Sequence, residues 1–222
     1  MIDNIKACVF DAYGTLFDVH SPVARSAESL GEKADPLSRL WREKQLQYTW
    51  LRSLMGLHAD FWQITGDALD YAMNVTGADR AMRDRLLEAY LTPDAYGDAL
   101  PALRALKEKG KTTAILSNGS PRMLESATRT AGLCDSLDAV LSIEEVGVYK
   151  PHPKVYRLAC DRLGCEPAEI CFVSMNPWDA SGAAAFGLRV ARINRFDQPG
   201  DVLPGEIAAV IYTLEELPDL VA

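Results

Sequence analysis

Short apolar runs alternate with longer amphipathic stretches along most of this chain. Ile5–Phe10, Thr112–Leu116, Asp138–Leu141, Ile170–Val173, Leu188–Ile193 and Ala208–Ile211 carry the composition of strands. Between and beside them the spacing of apolar positions predicts helices over about 98–109, 121–131, 153–164 and 179–186. Pro101 suits a first helical turn, and Gly110 and Gly132 suit helix stops. Alternation of this kind, with strands that are apolar on both faces, predicts a parallel sheet covered by helices on each side. Each crossover should be right-handed.

Residues 17–93 break the alternation. They hold no convincing strand but three helical patterns, roughly 37–55, 59–75 and 79–91, punctuated by Gly56, Gly77 and Pro93. The economical reading is a helical insertion after the first strand, folded over one edge of the sheet. Residues 1–16 and 94–222 then form a Rossmann-like α/β core, and 17–93 a helical cap. Open parallel sheets bind ligands at the carboxyl ends of their strands, so an insertion leaving from that end is placed to act as a lid.

Composition narrows the classes of function. Apolar residues make up 48% and charged residues 24% of the 222, an ordinary globular balance. No apolar run approaches the roughly 18 residues of a membrane span. The start, MIDNIKACVF, lacks a basic leader and a cleavage site, so a cytoplasmic protein without membrane association is expected. A formal net charge of −8 opposes binding to nucleic-acid phosphate. Cys8, Cys134, Cys160, Cys165 and Cys171 are odd in number and scattered, which argues against a disulfide frame or a zinc site. Cys8 and Cys171 read as small buried residues. His20, His58 and His152 have no metal-ligand spacing.

The chemistry lies where the strands end. Asp11 follows the first strand in VFDAYGTLF, with Thr15 four residues on; Ser117 and Asn118 follow the second in SNGSP. EEVGVYKPHPKVY after the third offers Lys150, and SMNPWDASGA after the fourth offers Ser174, Asn176 and Asp179. Each has a bland explanation alone: a turn aspartate, a helix cap, a solvated lysine, an acid in a first helical turn. Four loops that deliver two carboxylates, an ammonium and several hydroxyls and amides to one rim point instead to a site.

DAYGT, SNGS, VYKPHPKVY and VSMNPWDASGA together resemble the haloacid dehalogenase superfamily. LWREKQLQYTWLRSLM in the helical segment and the SxNPWD pattern resemble its L-2-haloacid dehalogenase branch in particular. The resemblance spans nearly the whole chain. Met175 departs from the small polar residue the branch often carries there. The resemblance implies that Arg42 and Asn118 receive a departing halide, that Tyr156 and Ser174 are supporting hydroxyls, and that Tyr13, Leu46, Phe61 and Trp178 wall an apolar pocket. It also implies a homodimer. Read without it, Arg42 shares a helix face with Leu46, Thr49, Trp50 and Ser53 and could simply snorkel.

The residues favour that branch on chemical grounds. Phosphatases of the superfamily place a second acid two residues after the nucleophile to protonate the leaving group; here the position is Tyr13. They also hold Mg²⁺ with an acidic loop after the fourth strand, and here that loop has Asp179 as its only acid, a poor supply of the hard carboxylate oxygen Mg²⁺ favours. Without a metal, a phosphate dianion facing Asp11 would meet two repulsions of about 4 kcal/mol each, taking about 4 Å and an effective dielectric of about 20. A haloacid brings one negative charge, and halide leaves without a proton.

The expected mechanism is attack by Asp11 on the halogen-bearing carbon, giving an aspartyl ester and halide. Water, positioned by Asp179 and Asn176, then hydrolyses the ester while Lys150 or backbone amides stabilise the oxyanion. Lys150 and Thr15 should orient Asp11, and the backbone N–H groups of Ala12 and Tyr13 with Ser117 should hold the substrate carboxylate. No metal or cofactor is called for. A Mg²⁺-dependent phosphatase and a non-enzymatic member of the fold are the alternatives.

Overall fold

A computed structural model describes residues 1–222. Six strands, β1 (Ala7–Phe10), β2 (Thr112–Ser117), β3 (Ala139–Ser142), β4 (Ile170–Ser174), β5 (Arg189–Ile193) and β6 (Ala209–Ile211), form one sheet in the order β3-β2-β1-β4-β5-β6. Every neighbouring pair is parallel. β1 and β4 are buried at every residue, as strands covered on both faces must be. This is the Rossmann-like α/β arrangement expected from the alternation. The ladder also places the site: Phe10 pairs with Ile115 on one side and Val173 on the other, so the residue after it emerges between the ends of β2 and β4.

Between β1 and β2 lie α1 (Ser21–Ala24), α2 (Ala27–Leu30), α3 (Ala34–Met55), α4 (Phe61–Thr76) and α5 (Arg83–Tyr90). α1 and α2 are single turns, too short to show a helical period. The pattern expected over 79–91 divides into a 3₁₀ turn, Arg80–Met82, and α5, because Asp79 caps the turn by accepting from the Ala81 N–H. α3 stops at Gly56 in the left-handed region, and Asp60 caps α4 by accepting from the Gln63 N–H. The two long helices pack on each other, and the Trp41 indole N–H on α3 donates to the Thr65 carbonyl on α4 at 2.8 Å.

The insertion leaves from the carboxyl end of β1, a central strand, and its contacts include the segment that follows β3, an edge strand. The Tyr149 hydroxyl donates to the Ala59 carbonyl at 2.6 Å, the Tyr149 N–H donates to Ser53 Oγ at 3.2 Å, and His58 meets Glu144 at 2.8 Å. Of the remaining helices, α6 (Ala99–Glu108) precedes β2, and α7 (Pro121–Thr130), α8 (Pro153–Leu163), α9 (Pro177–Phe186) and α10 (Leu217–Leu220) come after β2, β3, β4 and β6. Cys8 and Cys171 are fully buried and face each other across the β1–β4 ladder. No helix is long and apolar enough to cross a membrane.

Candidate active site

Asp11 is the first residue beyond β1, and its N–H still donates to the Val173 carbonyl at 2.9 Å. The chain then turns sharply. The Ala12 carbonyl accepts from the N–H groups of Thr15, Leu16 and Phe17 at 3.2, 2.9 and 3.0 Å. Gly14 supplies the turn with a φ of +100°, which L side chains rarely adopt. The turn leaves the N–H groups of Ala12 and Tyr13 without a protein acceptor, and the N–H of Asn118, just past β2, also has none. Backbone N–H groups gathered in this way attract anions.

One lysine joins the two carboxylates. Lys150 Nζ donates to Asp11 Oδ1 at 3.1 Å and to Asp179 Oδ2 at 2.8 Å, with the ammonium fully buried and 4.9 Å from the Phe172 ring centroid. Burial works against its charge, yet Asp11 and Asp179 together more than offset that and hold its pKa above the ordinary lysine value. Asp179 also accepts from the Tyr156 hydroxyl at 2.8 Å and from Ser174 Oγ at 3.1 Å. Its pKa is nevertheless pushed up to about 6. Burial is the chief cause, Lys150 pulls the other way, and the negative charge of Asp11 adds to the rise. Two carboxylates share one cation here, and Asp179 is the more deeply buried of them. Burial and Asp179 raise the Tyr156 phenol far above its usual range and keep it a neutral donor.

Asn176 Nδ2 donates to Asp11 Oδ2 at 2.7 Å and to the Tyr13 carbonyl at 3.2 Å. Asn176 immediately precedes α9, and its side chain makes no cap there because it is turned to Asp11. Thr15 Oγ1 stands 3.4 Å from Asp11 Oδ2, a long bond, and accepts from the Met175 N–H at 2.9 Å; its closer tie is to the loop after β4. Ser117 Oγ accepts from the Gly119 N–H at 3.1 Å, and Asn118 Oδ1 accepts from the Lys150 N–H at 3.1 Å.

The helical segment brings side chains to the same end of the sheet. From α3, Arg42 reaches the Tyr13 carbonyl at 3.3 Å. The Tyr13 ring lies among Phe17, Phe61 and Tyr90, at centroid distances of 6.3, 6.0 and 5.6 Å. Burial raises its phenol well above the ordinary value, which makes it a poor proton donor. Leu46 is half-buried one turn beyond Arg42, and Trp178 meets Trp50 of α3 edge-on at 5.4 Å.

Gly182, in the small-residue run ASGAAA, belongs to the site although no motif singles it out. A Cβ there would fall 2.5 Å from Pro151 Cβ and 2.6 Å from the Tyr156 hydroxyl, so only glycine lets α9 and α8 approach closely enough for Tyr156 to reach Asp179. Gln45, Thr65 and Tyr90 around Arg42 are likewise silent in the sequence, apart from the polar character of Gln45 on a buried helix face. The donor set suits an anionic organic substrate better than a metal. No three His, Cys, Asp or Glu side chains converge, and both oxygens of Asp179 already face Lys150, Ser174 and Tyr156.

Comparison with known proteins agrees with the geometry. The sequence model of the haloacid dehalogenase-like hydrolases matches residues 5–187. (S)-2-haloacid dehalogenase 1 of Pseudomonas sp. (strain CBS-3) is 49% identical over 221 residues, spanning 99% of this chain and 97% of that protein. A crystal structure described as a dehalogenase superposes with a TM-score of 0.98 at 46% identity, covering 100% of this chain and 99% of the other. The L-2-haloacid dehalogenase of Xanthobacter autotrophicus, solved with chloropropionic acid covalently bound, superposes with a TM-score of 0.91 at 38% identity, covering 97% and 98%. The chain belongs to the haloacid dehalogenase-like hydrolases and, within them, to the L-2-haloacid dehalogenase branch.

Proposed function

We propose that this chain hydrolyses short L-2-haloacids to D-2-hydroxy acids and halide, without a metal, through an ester on Asp11. The observation that carries the reading is the pairing of Asp11 with Lys150 and Asn176 beside a buried, weakly acidic Tyr13. That pairing provides an oriented carboxylate and no acid for a leaving oxygen, which fits a leaving group that departs as a stable anion.

In the first step an Asp11 carboxylate oxygen forms a C–O bond to carbon 2 from the rear as the carbon–halogen bond breaks, and the halide leaves with the bonding pair. The substrate carboxylate lies against the N–H groups of Ala12, Tyr13 and Asn118 with Ser117, the halogen points to Arg42 and Asn118, and the alkyl group meets Leu46, Phe61 and Trp178. In the second step water, positioned by Asn176, adds to the Asp11 carbonyl and gives a proton to Asp179. The adduct then breaks its bond to the product oxygen, which takes that proton from Asp179 as the 2-hydroxy acid leaves, and Asp11 returns to the carboxylate as the second water proton passes to solvent. A carboxylate with a pKa of about 6 is suited to that near neutral pH. Lys150 faces the oxyanion as it forms, while Tyr156 and Ser174 hold Asp179 in place. The segment 17–93 serves as the cap that excludes bulk water, and by family analogy the working unit is a homodimer.

Rear attack inverts carbon 2 once, and hydrolysis at the aspartyl carbonyl leaves that centre untouched. Placement errors of about 1 Å can cost on the order of 100-fold in rate, so the D-enantiomer, whose alkyl group is driven out of the apolar wall, should react poorly. Racemic 2-chloropropionate supplied in the presence of a chelator tests this by chiral chromatography. Consumption of the L form with release of D-lactate is expected. Equal consumption of both enantiomers, an L-hydroxy product, or activity that requires added Mg²⁺ would defeat the reading.

A further inference from the structure

We propose that Gln45 is a positioning residue that fixes Arg42 for the leaving halide while leaving its positive charge undiminished. The inference rests on the reading of Arg42 as the halide acceptor given above.

Gln45 is fully buried one turn along α3 from Arg42. Its Oε1 accepts from Arg42 NH1 at 2.8 Å and from the Tyr90 hydroxyl at 3.0 Å. Its Nε2 donates to Thr65 Oγ1 at 2.8 Å, and Thr65 Oγ1 donates to the Phe61 carbonyl at 2.6 Å. The Phe61 carbonyl only accepts, and that fixes the direction of the whole chain of bonds. The Thr65 proton is spent on Phe61, so Thr65 Oγ1 can only receive, and Gln45 must turn Nε2 toward it. Oε1 therefore faces Arg42. A flipped amide would set donor against donor at Arg42 and acceptor against acceptor at Thr65.

The consequence for Arg42 is twofold. An arginine side chain has much rotamer freedom to lose, and Gln45 at NH1 with the Tyr13 carbonyl at NH2 removes it in advance. Both of these acceptors are neutral. A carboxylate at either place would pin the guanidinium equally well but would compensate the charge an anion needs. A buried glutamine reconciles the two demands, and Tyr90 and Thr65, from separate helices, keep its amide from turning.

Removing the pin should weaken stabilisation of the leaving anion more than anything else. Hydrogen bonds to charged groups are worth enough that loss of one changes affinity by about tenfold or more. The test measures halide release from 2-chloro- and 2-iodopropionate, and inhibition by bromide at constant ionic strength, for the parent, Gln45→Met, Gln45→Glu and Tyr90→Phe. Folding is checked by thermal melts. Gln45→Met and Gln45→Glu should each raise the bromide inhibition constant by about tenfold or more and slow the chloro substrate more than the iodo substrate, whose halide leaves more easily. Tyr90→Phe, which loses one oxygen, should shift both in the same direction by less. Folded variants with an unchanged bromide constant and equal slowing of both substrates would overturn the inference and leave the reaction standing. So would Gln45→Glu that behaves as the parent does. If Gln45→Met does not fold, Gln45→Glu and Tyr90→Phe decide. A parent that releases no halide from either substrate would overturn the functional reading itself.

Discussion

Asn176 approaches Asp11 more closely than any other side chain does, with Nδ2 at 2.7 Å from Oδ2. Lys150 lies on the other oxygen at 3.1 Å. The carboxylate is thus held at both ends by donors from different loops, one charged and one neutral. Its plane is thereby fixed, as the proposed role of Asp11 as an in-line nucleophile requires.

Replacing Asn176 by alanine should lower kcat/KM for L-2-chloropropionate by roughly 10- to 100-fold, the range expected for losing a hydrogen bond to a charged group. Steady-state halide release measures it. An effect below about twofold would mean that Lys150 alone orients Asp11.

The raised pKa of Asp179 makes two pH predictions with opposite signs. As a base it must be ionised, so kcat should fall as pH drops through about 6 wherever ester hydrolysis limits the rate. For stability the linkage runs the other way. The folded state holds the extra proton between the ordinary value of 3.8 and about 6, so this group's contribution is present at acid pH and lost as pH rises through about 6. Asp179→Asn should therefore melt at or above the parent's temperature at pH 7, since Lys150 keeps Asp11 as its counter-ion, while hydrolysis stalls. Intact-protein mass spectrometry after mixing with L-2-chloropropionate should show the ester accumulating. A variant that turns over normally would remove Asp179 from the second step.

Gly182→Ala should be costly although it adds one methyl group. That methyl would fall within 2.6 Å of the Tyr156 hydroxyl and of Pro151, so either α9 moves or Tyr156 leaves Asp179. Overpacking of this kind typically costs about 1–3 kcal/mol, and thermal unfolding alongside halide release should show both stability and rate reduced. A variant unchanged in both would show that the α8–α9 contact yields freely.

The sequence makes the framework of the site legible because strand ends are legible. Asp11, Lys150 and Asp179 each follow a recognisable apolar run, and parallel topology brings such positions to one rim. What it does not reveal is direction. Nothing local in SMNPWDASGA says that Asn176 forgoes capping α9 in order to reach Asp11, or that Thr15 is closer to Met175 than to Asp11. Arg42 reads equally well as a snorkelling cation until Tyr90, from a helix far along the chain, is found sharing an acceptor with it. Strand limits blur for a similar reason. Ile5 has strand composition, but its N–H goes to the Ala222 carbonyl near the C-terminus rather than to the sheet. The one-turn helices α1 and α2 have no period to read.

The central claim is that Asp11 itself forms the ester and that water attacks the enzyme's carboxylate rather than the substrate. A single turnover in ¹⁸O-labelled water with enzyme in excess over L-2-chloropropionate, followed by mass analysis of the peptide that contains Asp11, tests it most directly. The account predicts label in Asp11 and an unlabelled hydroxyl in the product. Label in the product hydroxyl with none in Asp11 would contradict it.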